Sequence, residues 1–198
     1  PVHIVQRGHN KNNVFFENEN YKAYLEWLQE GSEWYEVLIH AYALLPNEIH
    51  ILATPSDKES ASRMMQYQGR CYVPYINNAY NKTGTIWQGR YKASLIDPET
   101  QLLNNMLYIE NLPVREKLVK SAGTYKWSSY KFNAQGRKNT LITAHEKYTE
   151  LAKTDKTRLD KYTTLSKTGL ADEVNSDIQD AWQTGTPQGS DKFKKMVE

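Results

Sequence analysis

Residues 44–55 read LLPNEIHILATP, and this stretch decides the class of fold that we expect. The Pro46-Asn47 pair is typical of a tight turn, and apolar residues of strand type surround it. The stretch therefore predicts two strands, over 35–44 and 48–54, joined by that turn. Strand and helix patterns alternate around it as β-α-β-β-α-β-α, which indicates an α+β fold: an antiparallel sheet with helices packed on one face.

Two polar side chains interrupt the second of these strands. Side chains two residues apart share a face of a strand, so Glu48 and His50 point to one side of the sheet. Ile49 and Ile51 point to the other side, into a core. Two interpretations of the polar pair remain open: half of a catalytic metal site, or an ordinary strand with two outward polar residues.

The remaining elements follow from hydrophobic periodicity, helix caps and turns. We expect further strands over 2–6 and 85–96, and helices over 20–30, 60–80 and 97–112. Asp97-Pro98 is a strong start for the last helix, and Pro113 should end it. From about Asn133 the chain becomes more polar, with helical patterns over 143–152, 155–166, 171–183 and 190–197. We therefore divide the chain into a domain over 1–132 and a C-terminal helical extension over 133–198.

The composition is that of a protein that folds in water. Hydrophobic residues make up 39% of the 198 residues and charged residues 24%, and no apolar run is long enough to span a membrane. The single cysteine, Cys71, excludes an internal disulfide and a zinc site built from several cysteines. These properties predict a cytoplasmic protein without a membrane partner.

The net charge of +2 is ordinary, but the basic residues are unevenly distributed. Residues 60–96 contain no acid, six tyrosines and tryptophans, and five basic residues: Arg63, Arg70, Lys82, Arg90 and Lys92. A second basic cluster begins at Arg115 and Lys117 and includes one acid, Glu116. Basic residues interleaved with aromatic ones suit a phosphate backbone and unpaired bases. A solvated helix face above a tyrosine-rich core explains the same pattern, so both interpretations stay open.

The helix over 98–112, PETQLLNNMLYIENL, carries a tyrosine that does not fit its apolar face. That face consists of Leu102, Leu103, Met106, Leu107 and Ile109. Tyr108 instead has Asn104, Asn105 and Asn111 within one helical turn, which predicts a position on the polar side. It is either a tyrosine with a chemical role or a boundary residue with its hydroxyl in water.

Several blocks of the sequence together resemble the REP-associated tyrosine transposases, which belong to the HUH single-tyrosine transposases. The blocks occur in that family's order and cover nearly the whole chain. They are HIVQRGHN, HAYALLPNEIHILATP, SRMMQYQGRCYVPYIN, TGTIWQGRYKASLI, LYIENLPVREKLV, YKWSSY and TGTPQGSDKFKKMV.

The resemblance implies a ferredoxin-like or RRM-like domain that binds a REP-like hairpin of single-stranded DNA and nicks beside it. A tyrosine attacks the phosphodiester, which leaves a 5′-phosphotyrosine and a free 3′-hydroxyl, and a later hydroxyl attack rejoins strands. A divalent ion, Mg²⁺ or Mn²⁺, polarises the scissile phosphate and offsets the poor nucleophilicity of tyrosine near neutral pH. The expected location is the bacterial cytoplasm, in association with the nucleoid.

Matched position by position, Tyr108 corresponds to the family's nucleophile and His50 to the second histidine of its metal strand. This sequence departs from the family at two metal positions. Glu48 stands where the family has its first histidine, and Leu112 stands in the slot of the third ligand. Asn111, one residue earlier, is the substitute that we expect, so the predicted metal ligands are Glu48, His50 and Asn111.

The predicted DNA contacts are basic or amide side chains in the matching blocks: Arg7, Asn10, Arg63, Arg70, Arg90, Lys92, Arg115 and Lys117. The altered metal positions leave a second hypothesis, a hairpin-binding protein with weakened or lost catalysis. A third hypothesis, an RNA-binding RRM-like domain, ranks low because the aromatic-rich RRM signature is not evident.

The basic stretch gives a first testable prediction. If residues 60–96 follow a DNA backbone, the affinity for a hairpin with single-stranded ends should fall steeply as salt is raised. The slope of log K against log salt should be on the order of −0.7 for each phosphate neutralised on a single strand. Equilibrium titrations at several salt concentrations measure this slope, and a flat dependence would favour the solvated-face interpretation.

Overall fold

The computed structural model describes residues 1–197 and confirms an α+β fold with an antiparallel sheet. Its strands are β1 (Val2–Arg7), β2 (Val37–Leu45), β3 (Glu48–Pro55) and β4 (Lys92–Leu95). They form one sheet in the order β2-β3-β1-β4, and all neighbouring strands are antiparallel. The Pro46-Asn47 turn joins β2 to β3, as the sequence predicts.

The long helices lie between and after these strands. They are α1 (Asn18–Trp34), α2 (Ser60–Ala79) and α3 (Pro98–Arg115). The C-terminal part of the chain adds α4 (Tyr130–Asn133), α5 (Glu146–Thr149), α6 (Asp155–Thr168), α7 (Asp172–Thr184) and α8 (Asp191–Val197). Within the described residues, no helix combines the length and apolarity needed to cross a membrane.

The pairing of β1 with β3 determines which side chains meet near the centre of the sheet. Val5 lies opposite His50, and Arg7 lies opposite Glu48. Because alternate residues share a face, His3 and Arg7 lie on the same face as Glu48 and His50. The register therefore brings four polar or charged side chains together on one face.

Helices cover both faces of the sheet: α1 and α2 pack on one face, and α3 with the C-terminal helices packs on the other. Ile49 and Ile51 pack with α1 and α2 in one buried cluster, whereas Val5 and Leu52 pack with α3 and the C-terminal helices in a second. Side chains on both faces of the central strands are apolar, so each face of the sheet must be covered by helices.

Two predicted element boundaries are wrong. Helix α3 passes Pro113 and ends at Arg115, because a proline in the last turn removes a single backbone donor from a helix that is about to end. The strand predicted over 85–96 shortens to Lys92–Leu95, because only these residues pair with β1. Gly89 before it has a positive φ of 70°, which a regular strand does not allow.

The C-terminal segment folds back onto α3 and the edge of the sheet. Tyr162, Ile178 and Trp182 are buried in the same cluster as Leu107 and Tyr108. The four helical patterns predicted after residue 143 correspond to α5, α6, α7 and α8. The predicted division at 132/133 remains a hypothesis about folding units, and this apolar cluster includes residues from both sides of it.

A buried carboxyl group links α3 to the C-terminal segment. Glu110 is 1% exposed and accepts hydrogen bonds from Ser129 Oγ (2.5 Å), Asn133 Nδ2 (2.6 Å) and the Tyr162 hydroxyl (2.6 Å). Burial raises the pKa of Glu110 to about 7, although these donors favour its ionised form. Three donors, two from α4 and its cap and one from α6, therefore fix how the later chain packs on α3.

His40 forms a second link, at a register shift in β2. Its Nδ1 lies 2.7 Å from the carbonyl oxygen of Thr143, and its Nε2 lies 2.8 Å from Thr54 Oγ1. Burial lowers the pKa of His40 to about 4 from its ordinary value of 6.5. The folded protein therefore resists protonation of this imidazole.

This pKa shift predicts a specific loss of stability in acid. Between pH 6.5 and about 4 the unfolded chain binds the proton that folded His40 refuses, so the free energy of unfolding falls as the pH falls. Relative to a His40→Asn variant, the wild type should lose on the order of a few kcal/mol across this window. Urea unfolding at several pH values measures the difference. Exposed His9→Asn is the control, and parallel pH profiles for wild type and His40→Asn would contradict the prediction.

Candidate active site

Tyr108 is buried, so the prediction that it lies on the polar side of its helix is wrong. Its side chain is 2% exposed and belongs to the apolar cluster between the sheet and the C-terminal helices. Helix α3 is covered by the sheet on one side and by α6 and α7 on the other, so a position off its main apolar face is still inside the protein.

Trp182 of α7 covers the hydroxyl group of this tyrosine. The indole Nε1 donates a hydrogen bond to the Tyr108 hydroxyl oxygen at 3.2 Å. The same indole ring makes an edge contact with the His50 ring, with 5.5 Å between centroids, and the Arg7 guanidinium lies 4.6 Å from its centre. Tyr108, His50 and Arg7 therefore meet around one tryptophan that is 1% exposed.

Glu48 pairs with one side chain on its own strand, β3, and with one on the neighbouring strand, β1. Its Oε1 lies 2.5 Å from His50 Nε2, and its Oε2 accepts a hydrogen bond from Arg7 Nε. Burial raises the pKa of Glu48, but the hydrogen bonds and charges of His50 and Arg7 outweigh burial and hold that pKa below its ordinary value. Both carboxylate oxygens are thus engaged within the protein, and the carboxylate stays ionised near neutral pH.

His3 is a member of this site that the sequence did not reveal. It is fully buried, and its Nε2 lies 2.9 Å from His50 Nδ1. Burial and the nearby His50 lower its pKa well below the ordinary value. A hydrogen-bonded chain therefore runs from His3 through His50 and Glu48 to Arg7. The available signal was the strand pattern of VHIVQ, but only the register with β3 reveals the contact.

The predicted metal ligands are not brought together as a set. Asn111 Oδ1 accepts a hydrogen bond from Ser166 Oγ at 3.1 Å, so this amide faces α6 rather than Glu48 and His50. Leu112 occupies an apolar core position. Among residues 1–197, no group of three or more His, Cys, Asp or Glu side chains is arranged to hold a metal ion. Glu48 and His50 alone offer two adjacent donors of the kinds that Mg²⁺ or Mn²⁺ accept.

Several of the predicted DNA contacts belong to elements that form or border this site. Arg7 ends β1, and the loop of Asn10 pairs with residues 86–88, just before Arg90, through backbone hydrogen bonds. Lys92 donates to the carbonyl oxygen of Gln183 at the end of α7.

Two more of these contacts come from the end of α3. The guanidinium group of Arg115 lies 4.4 Å from the centre of the Tyr108 ring. Lys117 is exposed just after the helix. The extension of α3 past Pro113 is what places Arg115 two turns after Tyr108, on the same side of the helix.

Arg63 and Arg70 are the exceptions among the predicted contacts. Both are exposed on α2, which packs on the opposite face of the sheet from Tyr108. Arg63 forms an ion pair with Glu59 at 2.5 Å, which accounts for its position without DNA. The structure therefore splits the predicted contacts into a group at the site and a pair across the sheet.

Comparison with known proteins gives a family match, and the solved structures that resemble this chain include the two described below. The family described as "Transposase IS200 like" matches residues 1–112. A REP-associated tyrosine transposase bound to a REP hairpin aligns with 15% identity and a TM-score of 0.53, over 73% of this chain and 84% of that chain. A candidate transposase from Deinococcus radiodurans R1 aligns with 15% identity and a TM-score of 0.41, over 56% of this chain and 88% of that chain. Comparison with curated proteins gives no significant match.

The cover over Tyr108 can be tested chemically. In a Trp182→Leu variant, the Tyr108 hydroxyl loses its indole neighbour, so nitration of Tyr108 should become several-fold faster. Peptide mass mapping after brief treatment with tetranitromethane measures this rate.

Two controls separate a local effect from general unfolding. Trp127→Leu alters a tryptophan of the other apolar cluster and should leave Tyr108 protected. Tyr24, fully buried in that other cluster, should stay unmodified in both variants. Equal nitration of Tyr108 in the wild type and in Trp182→Leu would show that Trp182 is not its cover.

Proposed function

Because the chain belongs to the IS200-like transposase family, we propose that it binds a hairpin of single-stranded DNA and nicks the strand beside it through Tyr108. The observation that carries this proposal is the meeting of three side chains around Trp182. A nucleophile (Tyr108), a metal-capable imidazole (His50) and a phosphate-binding cation (Arg7) all contact the same indole ring.

The proposed reaction is a transesterification. The Tyr108 oxygen forms a bond to phosphorus as the bond from phosphorus to the 3′ oxygen breaks. The tyrosine loses its proton, the 3′ oxygen gains one, and a 5′-phosphotyrosine remains on the protein. A 3′-hydroxyl that later attacks this linkage restores the phosphodiester and releases Tyr108.

Cations close to Tyr108 supply electrostatic stabilisation. Arg7 lies at the centre of the site beside Glu48, and Arg115 stacks on the tyrosine ring. Arginine binds phosphate oxygens with paired donors, and it stabilises negative charge that grows during the reaction. Since Trp182 covers the hydroxyl, the strand must displace the indole ring before a phosphate reaches Tyr108.

The proposed substrate is a REP-like hairpin, the ligand of the related transposase with the shared fold. Asn10, Arg90 and Lys117 are exposed, and their side chains suit the phosphates of such a hairpin. Bacterial DNA lies in the cytoplasm, so we place the protein there, in association with the nucleoid.

Mg²⁺ or Mn²⁺ is the proposed cofactor, with Glu48 and His50 as the residues that would hold it. A bound divalent ion would neutralise and polarise the scissile phosphate. Binding requires Arg7 to release Glu48, and Asn111 contributes no donor because it faces α6. We therefore expect weak binding of the ion and slow cleavage.

A second function is favoured by the same contacts. Both oxygens of Glu48 are engaged by Arg7 and His50, and Tyr108 is covered. A protein with this arrangement can bind a hairpin without cutting it. The two functions differ in one product, the covalent adduct between protein and DNA.

Substitution of the nucleophile tests the proposal. Tyr108→Phe should abolish the adduct with a labelled REP-like hairpin, because no oxygen remains to attack phosphorus. Its hairpin affinity should stay within about twofold of wild type, since the lost hydroxyl acts in the reaction and not in binding. Denaturing gels report the adduct, and fluorescence anisotropy reports the affinity.

Matched conditions complete this experiment. Tyr130→Phe alters a buried tyrosine of the same apolar cluster and should keep the adduct. Wild-type reactions with Mn²⁺, with Mg²⁺ and with a chelator test the cofactor. An adduct that persists in Tyr108→Phe excludes the assigned nucleophile, and hairpin binding without any adduct favours the second function.

A further inference from the structure

A cavity of about 530 Å³ lies between the C-terminal end of α3 and helices α6 and α7. We call it the α6–α7 pocket. Its lining combines apolar side chains, amides and cations: Val114, Leu170, Asn175, Gln179, Arg115 and Lys167. Ligand pockets have this size and this mixture of apolar walls with a few polar groups.

Arg115 connects this pocket to the candidate nucleophile. Its guanidinium group lies 4.4 Å from the centre of the Tyr108 ring, and its Nη1 donates a hydrogen bond to Asn175 Oδ1 at 3.0 Å. One face of the arginine is therefore directed at the reacting tyrosine, while its donors reach the pocket. A phosphate held by Arg115 would have Tyr108 on one side and the pocket on the other.

Helix α7 also runs from the tyrosine to the pocket. Asn175, Gln179 and Trp182 are four and three residues apart, so they lie along one side of the helix. Trp182 contacts the Tyr108 hydroxyl, Gln179 is one turn away, and Asn175 is about 10 Å along the axis from Trp182 at 1.5 Å per residue. A strand that reaches Tyr108 therefore runs beside Gln179 and then Asn175, whose amide already donates to the carbonyl oxygen of Leu170.

The chemistry of the lining matches an unpaired nucleotide. A base has flat faces that pack against apolar side chains such as Val114 and Leu170, and its edge carries donors and acceptors that the Gln179 amide can pair with. Asp172, which also lines the pocket, can accept a hydrogen bond from a base amino group. Arg115 and Lys167 suit the attached phosphates.

We infer that the α6–α7 pocket binds one unpaired nucleotide of the DNA strand next to the scissile phosphate and reads its base. This inference rests on the proposed hairpin-nicking function and adds a specificity site to it. Helices α6 and α7 lie after residues 1–112, the part matched by the transposase family. The inferred base preference would therefore come from the C-terminal segment together with the end of α3.

Abasic substitution in the DNA tests the inference on the full chain. The probes are a series of REP-like hairpins with a single-stranded extension, and in each probe one position of the extension lacks its base. Removing the base that enters the pocket should weaken binding about 5- to 100-fold, the range for loss of one stacked base. Other extension positions should change affinity much less, as measured by fluorescence anisotropy.

Two tryptophan substitutions on the same helix give a matched comparison. Ser176→Trp places an indole in the pocket lining and should remove the abasic effect while the hairpin without extension binds as before. Glu173→Trp adds an indole at an exposed position of α7 outside the lining and should keep the effect. Gln179→Ala, a smaller change, should reduce the preference among the four bases.

The outcomes separate this inference from the proposed function. If the hairpin without extension does not bind, the proposed function fails. If it binds but no abasic position weakens binding, or if both tryptophan variants behave alike, the pocket does not read a base. A free 2′-deoxynucleoside 5′-monophosphate that binds in the pocket, while no abasic position weakens hairpin binding, would assign the pocket to free nucleotides. That result would overturn the proposed role in strand binding.

Discussion

The apolar character of both sheet faces is the constraint on which the molecule depends. Apolar side chains of β1, β2 and β3 point in both directions, and a sheet with two apolar faces is stable only when both are covered. Helices α1 and α2 cover one face, and α3 with the C-terminal helices covers the other. The polar chain from His3 to Arg7 lies on this second face, so the candidate site is built inside a core rather than on a surface.

Burial explains the electrostatic character of the site. An ionised carboxylate inside a protein is costly unless it is paired and hydrogen-bonded. Glu48 satisfies this requirement through Arg7 and His50, and Trp182 packs against both of these partners. The same arrangement pairs Arg7 with Glu48, so the guanidinium group that we propose for a DNA phosphate is engaged inside the protein. The contacts that stabilise the DNA-free protein and the contacts that the proposed DNA binding needs therefore use the same side chains.

The sequence predicted the features that depend on local patterns. Neighbouring residues determine the strand alternation around Glu48 and His50, the Asp97 cap of α3 and the short C-terminal helices. Features set by distant contacts were not predictable. The burial of Tyr108 depends on Trp182, which is 74 residues away, and the role of His3 depends on the register between β1 and β3. The end of α3 at Arg115 rather than at Leu112 was also missed, because a proline in the last turn costs a helix only one backbone donor.

The position of Trp182 has a consequence for how the protein is made. A ribosome adds about 5–20 residues per second, so Trp182 emerges on the order of 3 to 13 s after Arg115. During this interval the nascent chain has its sheet and α3 but not α7, so Tyr108 and one apolar face are still open to solvent. Until α7 packs, the nascent protein is thus more prone to aggregate than the finished one, and its Tyr108 side chain is less restrained. Synthesis order therefore leaves the Tyr108 hydroxyl without its Trp182 cover until α7 has been made.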